Sequence, residues 1–233
     1  MPRHPIVVLW AVPRSASTAF ERMMIERGDH HVVDEPFSAH YYFGAEKVSP
    51  RFDAVEPASR PDEILAALED AAEHRPVFVK DMAYHVASFA TPDLLGRFRN
   101  AFMIRDPLAA TASLAAHWPD FTDEEAGFDA LDLLASMVDD PVVVDHDDLC
   151  RDPATVVATF CERVGIPFLP QALTWSAGMR PEWARWADWH AAVAASTGFV
   201  VGPPRHVDAG ARVREVAELA RPVYERLHAL RLR

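Results

Sequence analysis

The chain has 233 residues, half of them hydrophobic, with a formal net charge of −12 at pH 7 and two cysteines. That length and apolar content allow most of the apolar surface to be buried together, so a single domain over residues 1–233 is expected. The acidic balance excludes a general nucleic-acid binder, which needs a broad basic face, and Cys150 and Cys161 are too few for a disulfide framework and lack metal-ligand spacing.

Ile6 to Val12 is an apolar run between Pro5 and Pro13 with no charge on either face, the pattern of a buried parallel strand. It is too short to span a membrane, and Arg14 with the charges after it does not fit a cleavable signal peptide, so a cytoplasmic protein is expected. From Thr18 onward, Phe20, Met23, Met24 and the stem of Arg27 recur at helical spacing. A strand therefore passes into a helix through Pro13-Arg14-Ser15-Ala16-Ser17-Thr18. The first amides of a helix have no intrahelical partner and carry the positive end of its dipole, so such a turn suits an anion. Ser15, Ser17 and Thr18 add hydroxyls and Arg14 adds a guanidinium. No glycine precedes Gly28, so this is not a Walker loop. Read alone, the segment also fits an ordinary hydroxyl-capped helix start.

His30 to Val33 forms a second strand that delivers Asp34-Glu35-Pro36-Phe37 to its end, where Pro36 stops regular continuation. An aromatic stretch follows (Phe37, His40, Tyr41, Tyr42, Phe43), and Pro50 to Pro61 reads as a surface loop or mobile lid. Ile64, Leu65, Leu68 and Ala71 mark an amphipathic helix. Pro76 to Lys80 is a compact strand with Asp81 and Met82 just past it; Ala101 to Arg105 is another, and Asp106 with Pro107 opens a helix running toward Trp118. A helix over Phe121 to Met137, capped at Thr122, precedes the strand Pro141 to Asp145. Asp152 and Pro153 open a helix closed by Gly165. The last part, from about 170 to 233, is helical, with helices near 181–196 and 213–230 joined by a loop from Gly198 to Gly210. Short apolar strands alternating with helices predict an α/β fold: a central parallel sheet with crossover helices on both faces. Ligands of such sheets bind beyond the carboxyl ends of the strands, where Arg14, Glu35, Lys80, Arg105 and Asp145 all fall.

Three segments together resemble the sulfotransferases that use 3′-phosphoadenosine-5′-phosphosulfate (PAPS). Pro13 to Thr18 is similar to their 5′-phosphosulfate loop, with Ala16 where glycine is usual; alanine would be strained there if the position needs positive φ. Arg105, with Ser113 eight residues later, has the spacing of the family's 3′-phosphate site. Val142 to Pro153 looks like a late strand and acidic helix start whose role is structural. The resemblance covers roughly residues 5 to 170 and implies a P-loop-like sulfotransferase architecture. It implies PAPS as cofactor, held by Arg14, Ser15, Ala16, Ser17, Thr18, Arg105 and Ser113, with adenosine 3′,5′-bisphosphate as product.

The family's cofactor-closing Arg-Lys-Gly-x-x-Gly segment is absent, and Ser196 to Phe199 with the loop to Arg205 is its positional substitute. The implied reaction is in-line transfer of a sulfuryl group to a hydroxyl or amine, governed by positioning and charge stabilisation, and the lower charge of that group calls for no metal. Arg14 would stabilise the leaving oxygen, and Lys80 matches the lysine that acts on the sulfuryl oxygens or leaving group. Met82 stands where cytosolic relatives carry their histidine base, so Glu35, as in carbohydrate-type and bacterial relatives, is the expected base, with His85 and His31 in reserve. The acceptor would be a small molecule or sugar in a partly aromatic pocket that includes Phe37, Tyr41, Tyr42, Phe43, His117 and Trp118; neither nucleic acid nor membrane is an expected partner. A small-molecule kinase and a non-catalytic nucleotide-binding module are the rival classes.

Overall fold

The structure, a computed structural model, describes residues 2–57, 59–200 and 209–233. Its elements in chain order are β1 (Ile6–Ala11), α1 (Ser17–Arg27), β2 (His31–Asp34), α2 (Ser38–Phe43), α3 (Pro61–His74), β3 (Val77–Met82), α4 (Pro92–Leu95), β4 (Arg99–Ile104), α5 (Pro107–Ala115), α6 (Asp123–Ala126), α7 (Phe128–Ser136), β5 (Val142–Asp145), α8 (His146–Arg151), α9 (Pro153–Val164), α10 (Ala187–Ala194) and α11 (Ala211–Ala229). The strands form one five-stranded parallel sheet in the order β2-β3-β1-β4-β5. This is the expected α/β architecture. Parallel neighbours cannot be joined by tight hairpins, which is why helices intervene between successive strands.

Period-2 geometry explains the uninterrupted apolar run of β1. Ile6, Val8 and Trp10 enter one buried layer, while Val7, Leu9 and Ala11 enter the layer on the other face. Trp10 is wholly buried, and its indole N–H donates to Asn100 Oδ1 at 2.8 Å, which satisfies the one polar atom that this central strand sends into the core. Because β1 lies between β3 and β4, the chain leaves β1 at the point where the order of the sheet reverses, which opens a crevice at the carboxyl edge.

One expectation about elements changes. The helix expected over 121–137 is broken into α6 and α7 at Gly127, which adopts φ +81°. A Cβ there would stand 3.2 Å from Pro13 Cδ and 3.4 Å from a Tyr84 ring carbon, so the break lets this backbone pass directly against the turn after β1. The aromatic stretch after Phe37 folds as the short helix α2. At the other end of the chain α11 packs along α5, and Arg221 donates to Asp106 Oδ2 at 2.8 Å while Asp106 Oδ1 caps α5 through the Ala109 amide. Among the described residues, no helix is long and apolar enough to cross a membrane.

Candidate active site

Among the described residues, three that are not glycine have positive φ: Arg14 at 63°, Ala16 at 71° and Glu35 at 45°. All three line one cavity of about 910 Å³ at the carboxyl edge of the sheet. Strained backbone that surrounding structure maintains concentrates at functional sites, and here it coincides with the residues picked out by the sequence. Ala16 is the N-cap of α1 in the left-handed conformation, and it offers no side chain to the first amides of that helix. Ser17 and Thr18 line the cavity directly. Ser15 does not: its wholly buried hydroxyl donates to Val12 O at 2.7 Å and so fastens the turn.

The second expected phosphate anchor meets the first. Arg14 Nε donates to Ser113 Oγ at 3.1 Å, and an Arg105 Nη donates to the Arg14 carbonyl oxygen at 2.6 Å. The Arg14 guanidinium lies 5.6 Å from the Trp189 ring centre, a cation–π arrangement that holds it over the cavity. Arg105 and Ser113 line the same cavity, joined by His146, Cys150 and Arg151 of α8, a segment for which the sequence implies only a structural role. Burial and the neighbouring Arg105 push the His146 pKa below its ordinary value. Asp145, grouped with these strand ends by sequence, instead accepts from the Asp147 and Asp148 amides and from the Tyr224 hydroxyl, bracing the start of α8.

Lys80 and His85 lie apart from the cavity. The Lys80 side chain is fully buried, its Nζ 2.5 Å from Asp34 Oδ1, 2.5 Å from Glu35 Oε1 and 3.8 Å from Glu21 Oε2. The register of the sheet is the reason, since Asp34 and Lys80 are direct cross-strand partners and their side chains leave the same face. Burial works against the ammonium, but the three carboxylates outweigh it and hold the Lys80 pKa well above its ordinary value. Burial also opposes ionisation of Asp34, yet Lys80 and His190 bring its pKa down to about 2. For Glu21, burial and then the Asp34 charge push the pKa well up. His85 is wholly buried in the turn after β3, with Nδ1 2.6 Å from Asp81 Oδ1 and its ring among Tyr41, Tyr42 and Tyr84. His31 is exposed at the start of β2, the edge of the sheet opposite the cavity.

Glu35, in contrast, borders the cavity. Burial raises its pKa, and although Lys80 opposes this, the net direction is upward. The pronounced positive φ turns Glu35 out of the strand path, while its amide still donates to Lys80 O at 2.8 Å.

His190 went unrecognised in the sequence. It lies on α10, and its Nδ1 is 3.3 Å from Thr18 Oγ1 and its Nε2 3.3 Å from Asp34 Oδ2. The available signal was the spacing Trp183, Trp186, Trp189, an aromatic residue at every third position, which predicts one buried face on this segment. Trp186 and Trp189 line the cavity with Tyr42, Met82, Tyr84 and Trp118. Of the expected aromatic residues, Phe37, Tyr41 and Phe43 are buried in the layers behind, and His117 stacks on Trp189 at 4.9 Å. The start of the segment read as a surface loop or lid is fastened down: Arg51 makes two 2.7 Å contacts with the buried Glu125 carboxylate and lies 4.2 Å from the Trp118 ring centre, while Phe52 packs on Phe43 and Tyr42. Ser196 accepts from the Trp175 indole and Phe199 packs on that ring, while Val200 reaches the cavity; Arg205 lies outside the described residues.

A family model described as a sulfotransferase domain matches residues 6–231. Branched-chain-amino-acid aminotransferase-like protein 1 of Arabidopsis thaliana is 33% identical over 217 residues, covering 83% of this chain and 36% of that protein. The chain thus spans about a third of the length of the curated relatives it matches. Among solved structures, a sulfotransferase domain from the curacin biosynthetic pathway superposes with a TM-score of 0.56 at 13% identity, covering 94% of this chain and 98% of that one. A sulfotransferase from Mycobacterium avium gives 0.51 at 14% identity, covering 97% and 76%. At these identities the two structures speak to the fold.

Proposed function

The chain belongs to the sulfotransferase domain family, and from that premise we propose that it moves a sulfuryl group from PAPS to a hydroxyl or amine of a small-molecule or carbohydrate acceptor. One observation carries the reading. The strained turn at Arg14 and Ala16 and the Arg105–Ser113 pair are hydrogen-bonded to each other at the edge of one cavity, which gives two anion-suited positions a fixed separation. The residues fit the donor, because an uncapped helix start with Ser17 and Thr18 beside it is suited to one phosphate and the Arg105 fork to another.

When bound, PAPS supplies a sulfuryl group on a phosphate leaving group. The first amides of α1, with Ser17 and Thr18, hold the 5′-phosphate, and Arg14 stabilises charge on the oxygen that leaves. Arg105 and Ser113 hold the 3′-phosphate. Glu35 takes the proton of the acceptor, a task helped by burial that makes its carboxylate a stronger base than an exposed one. Lys80 acts from behind, holding Asp34 ionised and Glu35 in position. The wall of Tyr42, Tyr84, Trp118, Trp186 and Trp189 orients the acceptor and keeps water away from the transfer.

The reading is tested by incubating the protein with PAPS and separate phenolic, alkyl, amine and sugar acceptors, following sulfated product by mass and release of adenosine 3′,5′-bisphosphate. Product is expected with at least one class, and Arg14→Ala should abolish it while cooperative unfolding persists. No sulfated product and no nucleotide release with any class would overturn the reading.

A further inference from the structure

His190 is buried, belongs to the part of the chain after the recognisable motifs, and joins two groups of opposite purpose. Its Nε2 faces Asp34 Oδ2 and its Nδ1 faces Thr18 Oγ1, each at 3.3 Å. Thr18 and His190 both line the cavity. Resting on the PAPS reading above, we propose that His190 is a positioning residue: it takes up a proton when the cofactor binds and thereby turns the Thr18 hydroxyl from a donor to imidazole into a donor to the cofactor phosphate.

Asp34 has Lys80 Nζ 2.5 Å from its other oxygen and is an acceptor only, so the ring nitrogen facing it carries hydrogen. In neutral His190 that leaves Nδ1 as a lone pair, and the single Thr18 hydroxyl proton is spent on it. Thr18 then presents only oxygen lone pairs to the cavity, which repel a phosphate. Once Nδ1 is also protonated it donates to Thr18 Oγ1, and the hydroxyl proton is released toward the anion. A bound anion and a protonated ring therefore favour each other.

The surroundings bear on both ring states. Thr18 from α1, Asp34 from β2 and Trp183, with ring centres 5.3 Å apart, face His190 directly. Behind Asp34 stand Lys80, Glu35 and Glu21, and from the turn after β1 Arg14 reaches the neighbouring Trp189 carbonyl at 3.4 Å. Asp34 favours the charged ring and the Lys80 and Arg14 cations oppose it, and a bound phosphate adds its negative charge on the side of Asp34.

Isothermal titration of adenosine 3′,5′-bisphosphate, repeated in buffers of differing ionisation enthalpy across about pH 6 to 8, reads proton uptake directly. The wild type should take up as much as about one proton more than His190→Gln, and its affinity should fall by up to about tenfold more per pH unit on the alkaline side. Titration of the nucleotide itself and of His146 is common to both proteins and cancels in the difference. Thr18→Val should lose the same excess uptake, a readout that a merely structural histidine would not move, and it carries the comparison if His190→Gln does not fold. Equal uptake in wild type and Thr18→Val overturns the inference alone. Absence of nucleotide binding by the wild type overturns the donor reading and this inference with it.

Discussion

The guanidinium of Arg105 donates to the carbonyl oxygen of Arg14 at 2.6 Å. The end of β4 and the turn after β1 are therefore one unit, and an arginine expected to hold a phosphate also holds the loop for a second one. Arg105→Ala should weaken adenosine 3′,5′-bisphosphate by about 1.5–3 kcal/mol, the worth of a charge-assisted contact. Part of that loss should extend to adenosine 5′-monophosphate, through the loosened Arg14 carbonyl, but the loss for the bisphosphate should be clearly larger. Equal losses for the two nucleotides would assign Arg105 to the loop alone.

Glu35 lines the cavity while His85 is buried against Asp81. Glu35→Gln should therefore lower the catalytic rate by roughly 10² to 10⁴ with cofactor affinity retained. In the wild type the acidic limb of the pH–rate profile should lie above the ordinary carboxylate range, because burial raises the Glu35 pKa, and in Glu35→Gln that limb should vanish. His85→Asn should keep the limb. A dead His85→Asn beside an active Glu35→Gln would reverse the assignment.

Ala16 occupies the left-handed region at φ 71°, where glycine carries no Cβ penalty. Ala16→Gly removes that strain but gives the unfolded chain more freedom, so chemical denaturation should show a gain of no more than about 1 kcal/mol. A large loss of stability would mean that the Ala16 methyl makes packing contacts that outweigh its strain.

How legible the fold was follows from the same residues. The apolar runs at 6–11 in β1, 77–79 in β3, 101–104 in β4 and 142–144 in β5 stand out because both faces of the sheet are covered, and the turn after β1 carries its chemistry in consecutive residues. What stayed hidden depends on partners far along the chain. Lys80 reads as a strand-end cation until the register sets Asp34 beside it, and His190 becomes a site residue only because α10 returns it to Asp34 from 156 residues away. Apolar periodicity continues across Gly127, so spacing alone does not show that its positive φ breaks the helix.

Glu21 is buried beside Asp34 and Lys80, with its pKa held well above the ordinary 4.5, chiefly by burial. Above that ordinary value the unfolded chain releases this proton while the folded chain keeps it, so stability falls as pH rises from there toward the folded pKa. Glu21→Gln carries no such proton. Denaturant midpoints should thus show the variant gaining on the wild type as pH rises above 4.5. A difference that does not change with pH would place the Glu21 charge in contact with solvent.

Two linked anion positions at the edge of the sheet should together hold a 3′-phosphorylated adenine nucleotide. Calorimetric titration in EDTA reads this out, comparing adenosine 3′,5′-bisphosphate with adenosine 5′-monophosphate, and then ATP with magnesium restored. Metal-independent binding of the bisphosphate is expected, tighter than the monophosphate by about 1.5–3 kcal/mol. Magnesium-dependent ATP binding with no preference for the 3′-phosphate would contradict it.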